Sequence, residues 1–161
     1  MIIMDRTLAL CIALIACLSL CAQGKKEVRK NNIKASTLVD IKEGKTLNYR
    51  KSVFNKDGEV LEETTFTPEG KFKTLHRYKY NKDGDEIEEL EIDEADKIKE
   101  RKVSKYDGLG EKVQEIFYDG NGKVIKTHTF THDSKGLKTE MKITDGDGKV
   151  VSVRRYTYEF R

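Results

Sequence analysis

The sequence predicts an all-β protein: an antiparallel up-and-down meander of about ten strands, made from five 26-residue repeats and forming either an open twisted sheet or a barrel. Three observations carry this. Turn-closing glycines recur at Gly44, Gly58, Gly70, Gly84, Gly110, Gly122, Gly136 and Gly148, with Asp96 filling the one vacant place, so the steps run 14, 12, 14, 12, 14, 12, 14, 12. The segments between them, such as VLEETTF, FKTLHRYKY and VIKTHTFTH, are short and rich in β-branched and aromatic residues. No segment of the repeat keeps a helical stripe. Even IEELEIDEADKIKERK (87–102), with its helix-favouring Glu and Lys, fits the repeat as two strands.

The first residues are a targeting segment. Arg6 precedes an apolar run of nine, Leu8 to Ala16. A bilayer span needs about 20 residues, whereas a run of this length suits a signal-peptide core. Leu14-Ile15-Ala16-Cys17 resembles a bacterial lipobox. That resemblance implies cleavage of residues 1–16 and lipidation of Cys17, which makes the membrane a partner through the acyl anchor. Cleavage at Cys21 or after Ala22 stays open as an alternative. Residues 17–32 then form the lipidated Cys and a polar tether, with AQGKKEVRKNN (22–32) basic and without periodicity. Residues 33–161 form the β-repeat domain. Cys11, Cys17 and Cys21 all precede it, so the domain has no disulfides and no thiolate metal ligands.

Within the domain the units begin at residues 33, 59, 85, 111 and 137, each with a short and a long strand. Thr67-Pro68-Glu69-Gly70-Lys71 suits a type I turn followed by a left-handed Gly bulge. Thr67 then faces Lys71, and residues whose numbers sum to 138 pair, which sets Phe66 against Phe72. The same rule pairs Tyr118 with Val124 and Thr144 with Val150. It also sets Glu62 against His76, Glu88 against Lys102, Gln114 against His128 and Glu140 against Arg154. An acceptor faces a base in all four, a polar column on one sheet face or lining a lumen. Phe54, Tyr80, Tyr106, His132 and Tyr158 recur ten residues after the turn glycine and predict an aromatic ladder.

Tyr78-Lys79-Tyr80-Asn81-Lys82-Asp83-Gly84, Tyr106-Asp107-Gly108-Leu109-Gly110 and Tyr118-Asp119-Gly120-Asn121-Gly122 resemble the YD repeats of Rhs-type bacterial surface and secreted proteins. The likeness covers most of residues 44–150 and implies a twisting antiparallel sheet. The Gly-Arg usual in that family is mostly Gly-Lys or Gly-Glu here. The chain is also too short for the family's closed shell, so no encapsulating role carries over. Small lipoproteins with single-layer or barrel-like β domains are the other kind of protein it resembles.

The 31 basic and 28 acidic residues are interspersed and leave a net charge of +3, without the concentrated basic face that nucleic acid requires. YDGNGKV (118–124) has calcium-loop residue types, but Glu69, Leu109 and Lys135 occupy the equivalent places elsewhere, so the pattern tracks turn formation. No nucleophile elbow, phosphate loop, cofactor site or metal site is expected. The sequence therefore points to a non-catalytic lipoprotein of the bacterial cell envelope, placed at the outer membrane. It would bind a protein or glycan, or serve structurally, through a sheet face. The alternative is a small-ligand carrier or enzyme whose site lies in a barrel lumen lined by Glu62, His76, Glu88, Lys102, His128, Glu140 and Arg154.

Overall fold

The computed structural model describes residues 17–161, the side chains of residues 17–23 and of Asn48 excepted. The signal-peptide reading of residues 1–16 and the lipidation expected at the Cys17 thiol lie outside the described part. A helix, α1 (Cys17–Lys30), leads into ten strands: β1 (Ala35–Lys42), β2 (Lys45–Phe54), β3 (Val60–Phe66), β4 (Phe72–Tyr80), β5 (Glu86–Ile92), β6 (Ile98–Tyr106), β7 (Lys112–Asp119), β8 (Val124–His132), β9 (Lys138–Asp145) and β10 (Val150–Arg155). They form one antiparallel sheet in chain order, β1 to β10. The two end strands do not pair with each other, so the sheet is open and the barrel form of the prediction is not realised. Closure needs a strand tilt and register stagger that bring the first and last strands into pairing, and β1 and β10 share no pairs. Among the described residues the buried apolar side chains are only Val28, Ile92, Phe117, Phe130 and Met141.

The turns are built as their residues dictate. Gly122 N donates to Asp119 O (3.0 Å) and Asp119 N to Lys123 O (2.9 Å), and Gly122 sits at φ +83°. This is the type I turn with a glycine bulge. Asp119 Oδ1 accepts from the N–H groups of Asn121 and Lys123, both at 2.9 Å. Asn55, Asn81, Asp93, Asp107, Asp133 and Asp145 repeat that pair of bonds. The carboxylate of YDGNGKV is thus occupied by its own turn. At the place where the repeat lacks glycine, Asp96 adopts φ +56°. The first hairpin differs, with Glu43 and Gly44 both at positive φ and Lys42 facing Lys45 across a two-residue turn.

The register departs from prediction one step beyond each turn. Phe66 faces Phe72, Tyr118 faces Val124 and Thr144 faces Val150, as expected. Then Thr65 faces Thr74, which leaves Lys73 unpaired as a bulge. Ile87, Lys99, Val113, Ile125, Thr139 and Val151 are left out in the same way, as are Leu47 and Leu61. Each lies three residues after its turn-closing Gly or Asp96. A bulge relieves the strain of pairing strongly twisted strands, and past it every side chain changes its cross-strand partner.

The aromatic ladder exists and ties neighbouring repeats together. Tyr80 OH donates to Val60 O (2.9 Å), Tyr106 OH to Glu86 O (3.0 Å) and Tyr158 OH to Lys138 O (2.7 Å), each reaching back 20 residues. Tyr106→Phe should therefore cost about 1 kcal/mol in urea unfolding. A loss indistinguishable from zero would mean the hydroxyl is equally well solvated in the unfolded chain.

Residues 22–32, expected to be an irregular tether, are mostly helical. Val28 is buried, Lys25 Nζ pairs with Glu59 Oε1 at 3.0 Å, and Ile33 N closes the helix onto Val28 O at 2.9 Å. A Cβ at Gly58 would lie 2.4 Å from Lys25 O, so α1 rests directly on the β2–β3 turn. Among the described side chains of α1 only Val28 is buried and apolar, and the helix end is held by docking on the sheet.

Candidate functional site

The bulges split the predicted polar column between the two faces of the sheet. His76, Lys102, His128 and Arg154 share one face. Glu62, Glu88 and Glu140 lie on the other, where they pair with arginines the sequence pattern did not match to them. Arg77 Nε is 2.9 Å from Glu62 Oε1, Arg101 Nε is 2.5 Å from Glu88 Oε1, and Arg155 Nε is 3.3 Å from Glu140 Oε2. The residues opposite His76, Lys102, His128 and Arg154 are Glu63, Glu89, Glu115 and Met141. The predicted oppositions are each wrong by one residue, and the unpaired bulge residue is the cause.

On the His76 face the charges converge. Glu89 pairs through Oε1 with His76 Nδ1 (2.9 Å) and through Oε2 with Lys102 Nζ, which also reaches Glu86 Oε1 (2.9 Å). Glu115 pairs with Lys112 (2.8 Å) and His128 Nδ1 (3.3 Å). Between the two groups lies buried Phe117, with Lys126 Nζ 3.9 Å from its ring centroid and the His128 ring 4.8 Å away. A shallow depression of about 250 Å³ is lined by His76, Glu89, Glu91, Glu100, Lys102, Glu115 and Phe117. At its edge Glu100 faces Glu91 on one side and Asp119 on the other. Lys99 Nζ, 2.9 Å from Glu91, offsets part of that repulsion.

The paired acids and lysines are held in their charged forms. Burial alone would raise the pKa of Glu89, but the hydrogen bonds and charges of Lys102 and His76 outweigh it and hold the carboxyl below its usual range. Burial acts the same way on Glu115, and Lys112, Lys102 and His128 overcome it. Burial would lower the pKa of Lys102, yet Glu89 and Glu86 raise it above the ordinary lysine value. Burial would likewise lower Lys112, and Glu115 raises it. Tyr78 is pushed up by burial and by Glu89, Glu63 and Glu86, so its phenol stays protonated. Proton transfer near neutrality needs acids moved up and bases moved down. The carboxylate and lysine shifts run the other way, so these ion pairs stay charged at neutral pH.

Sequence reasoning missed Glu63, Glu89, Glu115, Phe117 and Lys126 as members of this face. A signal existed, because Glu63, Glu89 and Glu115 recur at the 26-residue period. The adjacent column of Glu62, Glu88, Gln114 and Glu140 recurs equally, and only the bulge decides between them. His132, the histidine of the aromatic column, lies 3.9 Å from Glu111 and takes no part in the cluster.

No family model matches the chain, and no curated protein matches it. Among solved structures it is similar to a porin-like protein from Bacteroides uniformis ATCC 8492, with a TM-score of 0.42 and 16% identity over 74% of this chain. That match covers 49% of the porin-like protein, so this chain spans about half its length. A protein of unknown function from Bacteroides fragilis NCTC 9343 aligns with a TM-score of 0.40 and 11% identity, over 79% of this chain and 96% of that one. At such scores neither likeness transfers an activity.

Proposed function

We propose that the chain is a non-catalytic module of the bacterial cell envelope, held at the outer membrane by lipid on Cys17. It serves as a binding or structural element for a protein or glycan through the His76 face of its sheet. The observation that carries this reading is the ion-paired, half-buried column of Glu89, Lys102 and Glu115 around buried Phe117, lining a shallow depression on a single-layer sheet. The kinship with YD repeats belongs to the same proposal and rests on the turn and tyrosine spacing. The alternative of a site inside a barrel lumen loses its premise, because the sheet does not close.

The anchor is tested by palmitate labelling and membrane fractionation. The wild type should carry label and sediment with outer membrane, and Cys17→Ser should do neither. An unlabelled, soluble wild type would sink the anchor. The working face is tested by binding of the full-length protein to isolated envelope fragments. Lys126→Glu, at Phe117, should weaken binding about tenfold, while Lys105→Glu on the opposite face should not. Equal effects would remove the face assignment. Protease shaving of intact cells then decides whether the partner is sought outside the cell or in the periplasm.

A further inference from the structure

The sheet ends on two strands that no described residue covers. β1 is exposed along its whole length. Leu38, Val39 and Ile41 on it are 50%, 45% and 66% exposed. On the other edge Val153, Tyr156 and Tyr158 are 44%, 37% and 44% exposed. Apolar side chains gathered on a free strand edge invite pairing with another strand.

The repeat specifies which strand fits. Every long strand pairs with the short strand after it in one register. Tyr49 faces Phe66, Leu75 faces Ile92, Arg101 faces Tyr118 and Thr127 faces Thr144, each pair 26 residues beyond the last. β10 is the fifth long strand, and its outer edge is unpaired. It is also short, with six residues where β4, β6 and β8 have nine. The last three residues of β8, Phe130 to His132, pair only with β9. Their counterparts are Tyr156, Thr157 and Tyr158, which lie just past the end of β10. These are already held in line by Tyr156 N on Thr139 O (3.0 Å) and Tyr158 OH on Lys138 O (2.7 Å).

β1 is itself a short strand of the repeat. Its two-residue turn drops one residue, so Ile41, facing Thr46, takes the place that Phe66 holds opposite Phe72. Laying β1 of a second copy along β10 in the common register then sets Val153 against Ile41, Arg154 against Asp40, Arg155 against Val39, Tyr156 against Leu38 and Thr157 against Thr37. The outcome is two apolar pairs, an opposite-charge pair and a threonine pair, the combinations that stabilise facing strands, with Arg155 against Val39 the one unmatched pair. The same residues disfavour symmetric pairing, since two β10 edges would bring their arginines together.

We propose that β1 of one copy adds to the β10 edge of the next, so that the sheet continues from molecule to molecule. The contact is head-to-tail, leaves a free edge at each end, and grows into a filament unless the rotation per copy closes a ring. This proposal does not rest on the sheet-face reading, and either can fail alone.

The test uses the full-length chain with Cys11, Cys17 and Cys21 replaced by Ser, followed by sedimentation velocity across concentration. Association beyond the monomer is expected. Asp40→Arg should weaken it about tenfold, and adding Arg154→Asp to the same chain should restore it. In the same background, a chain carrying Thr37→Cys mixed with one carrying Thr157→Cys should form a disulfide-linked dimer on mild oxidation, and neither chain alone should. Circular dichroism matching the parent shows that each variant is folded. A monomer at every concentration, an Asp40→Arg variant that associates like its parent, or Thr157→Cys self-linking as readily as the mixture would each overturn the proposal.

Discussion

Gly120→Ala is expected to lower the unfolding free energy by about 3 kcal/mol. A Cβ at this position would sit 2.2 Å from the backbone oxygen of Ile98, at the start of β6. No side chain can swing away to make room, because the obstacle is backbone. The turn itself is held by the two bonds that Asp119 Oδ1 accepts from Asn121 N and Lys123 N. Relief would require the β7–β8 turn to lift off β6, which strains the pairing of Glu100 with Asp119. Gly146 meets Val124 O at 2.4 Å in the next repeat and should behave alike. Gly122 is the control. Its φ of +83° is the left-handed region, but nothing lies within 4 Å of an added Cβ, so Gly122→Ala should cost only about 1 kcal/mol. Urea midpoints for the two variants decide the matter. Equal losses would mean that the close approach of turn to strand does not account for the glycine at 120.

Lys102→Met should cost about 2 kcal/mol at neutral pH, less than a fully buried pair because solvent reaches part of the cluster. The substitution keeps the stem's packing and removes the cation that Glu89 and Glu86 share. The pH dependence makes the prediction specific. In the native protein Glu89 is held below its ordinary value of 4.5, so its contribution is present above that value and is lost as pH falls through the lowered one. Without Lys102, burial prevails over the remaining pairing with His76, the carboxyl moves up, and Glu89 takes a proton at higher pH. The deficit of the variant should therefore be largest near pH 7 and narrow toward pH 4. A deficit that stays constant over that range would show that Lys102 acts through packing and not through charge.

The repeat, its recurrent glycine-bulge turn and the order of the strands are legible in the residues alone, because each rests on local chemistry, while the two-residue turn at Glu43-Gly44 departs from the pattern. A left-handed residue closes the turn, an Asp or Asn bonds the backbone two and four residues on, and a run of β-branched and aromatic residues lies between. Even the gap in the pattern is readable, since Asp96 adopts the conformation its place requires. The aromatic column is legible for the same reason. Its use is not, because a hydroxyl bond to a carbonyl 20 residues back exists only once two repeats are stacked.

The candidate face was half legible. His76, Lys102 and His128 were picked out, but with Glu62, Glu88 and Gln114 as partners in place of Glu63, Glu89 and Glu115. Two neighbouring columns of acidic residues are indistinguishable to a rule that counts outward from the turn. A one-residue bulge selects between them, and it answers to the twist between paired strands, which no single strand contains. Closure was undecidable for a like reason, as it depends on twist summed over ten strands and on whether β1 and β10 can meet. Helix α1 depended on docking, with Val28 and Lys25 finding partners on the β2–β3 side of the sheet. The sequence by itself therefore determined the turns, the strands and their period. Tertiary structure alone decided the register past each bulge, the face each charge occupies, and that the sheet stays open.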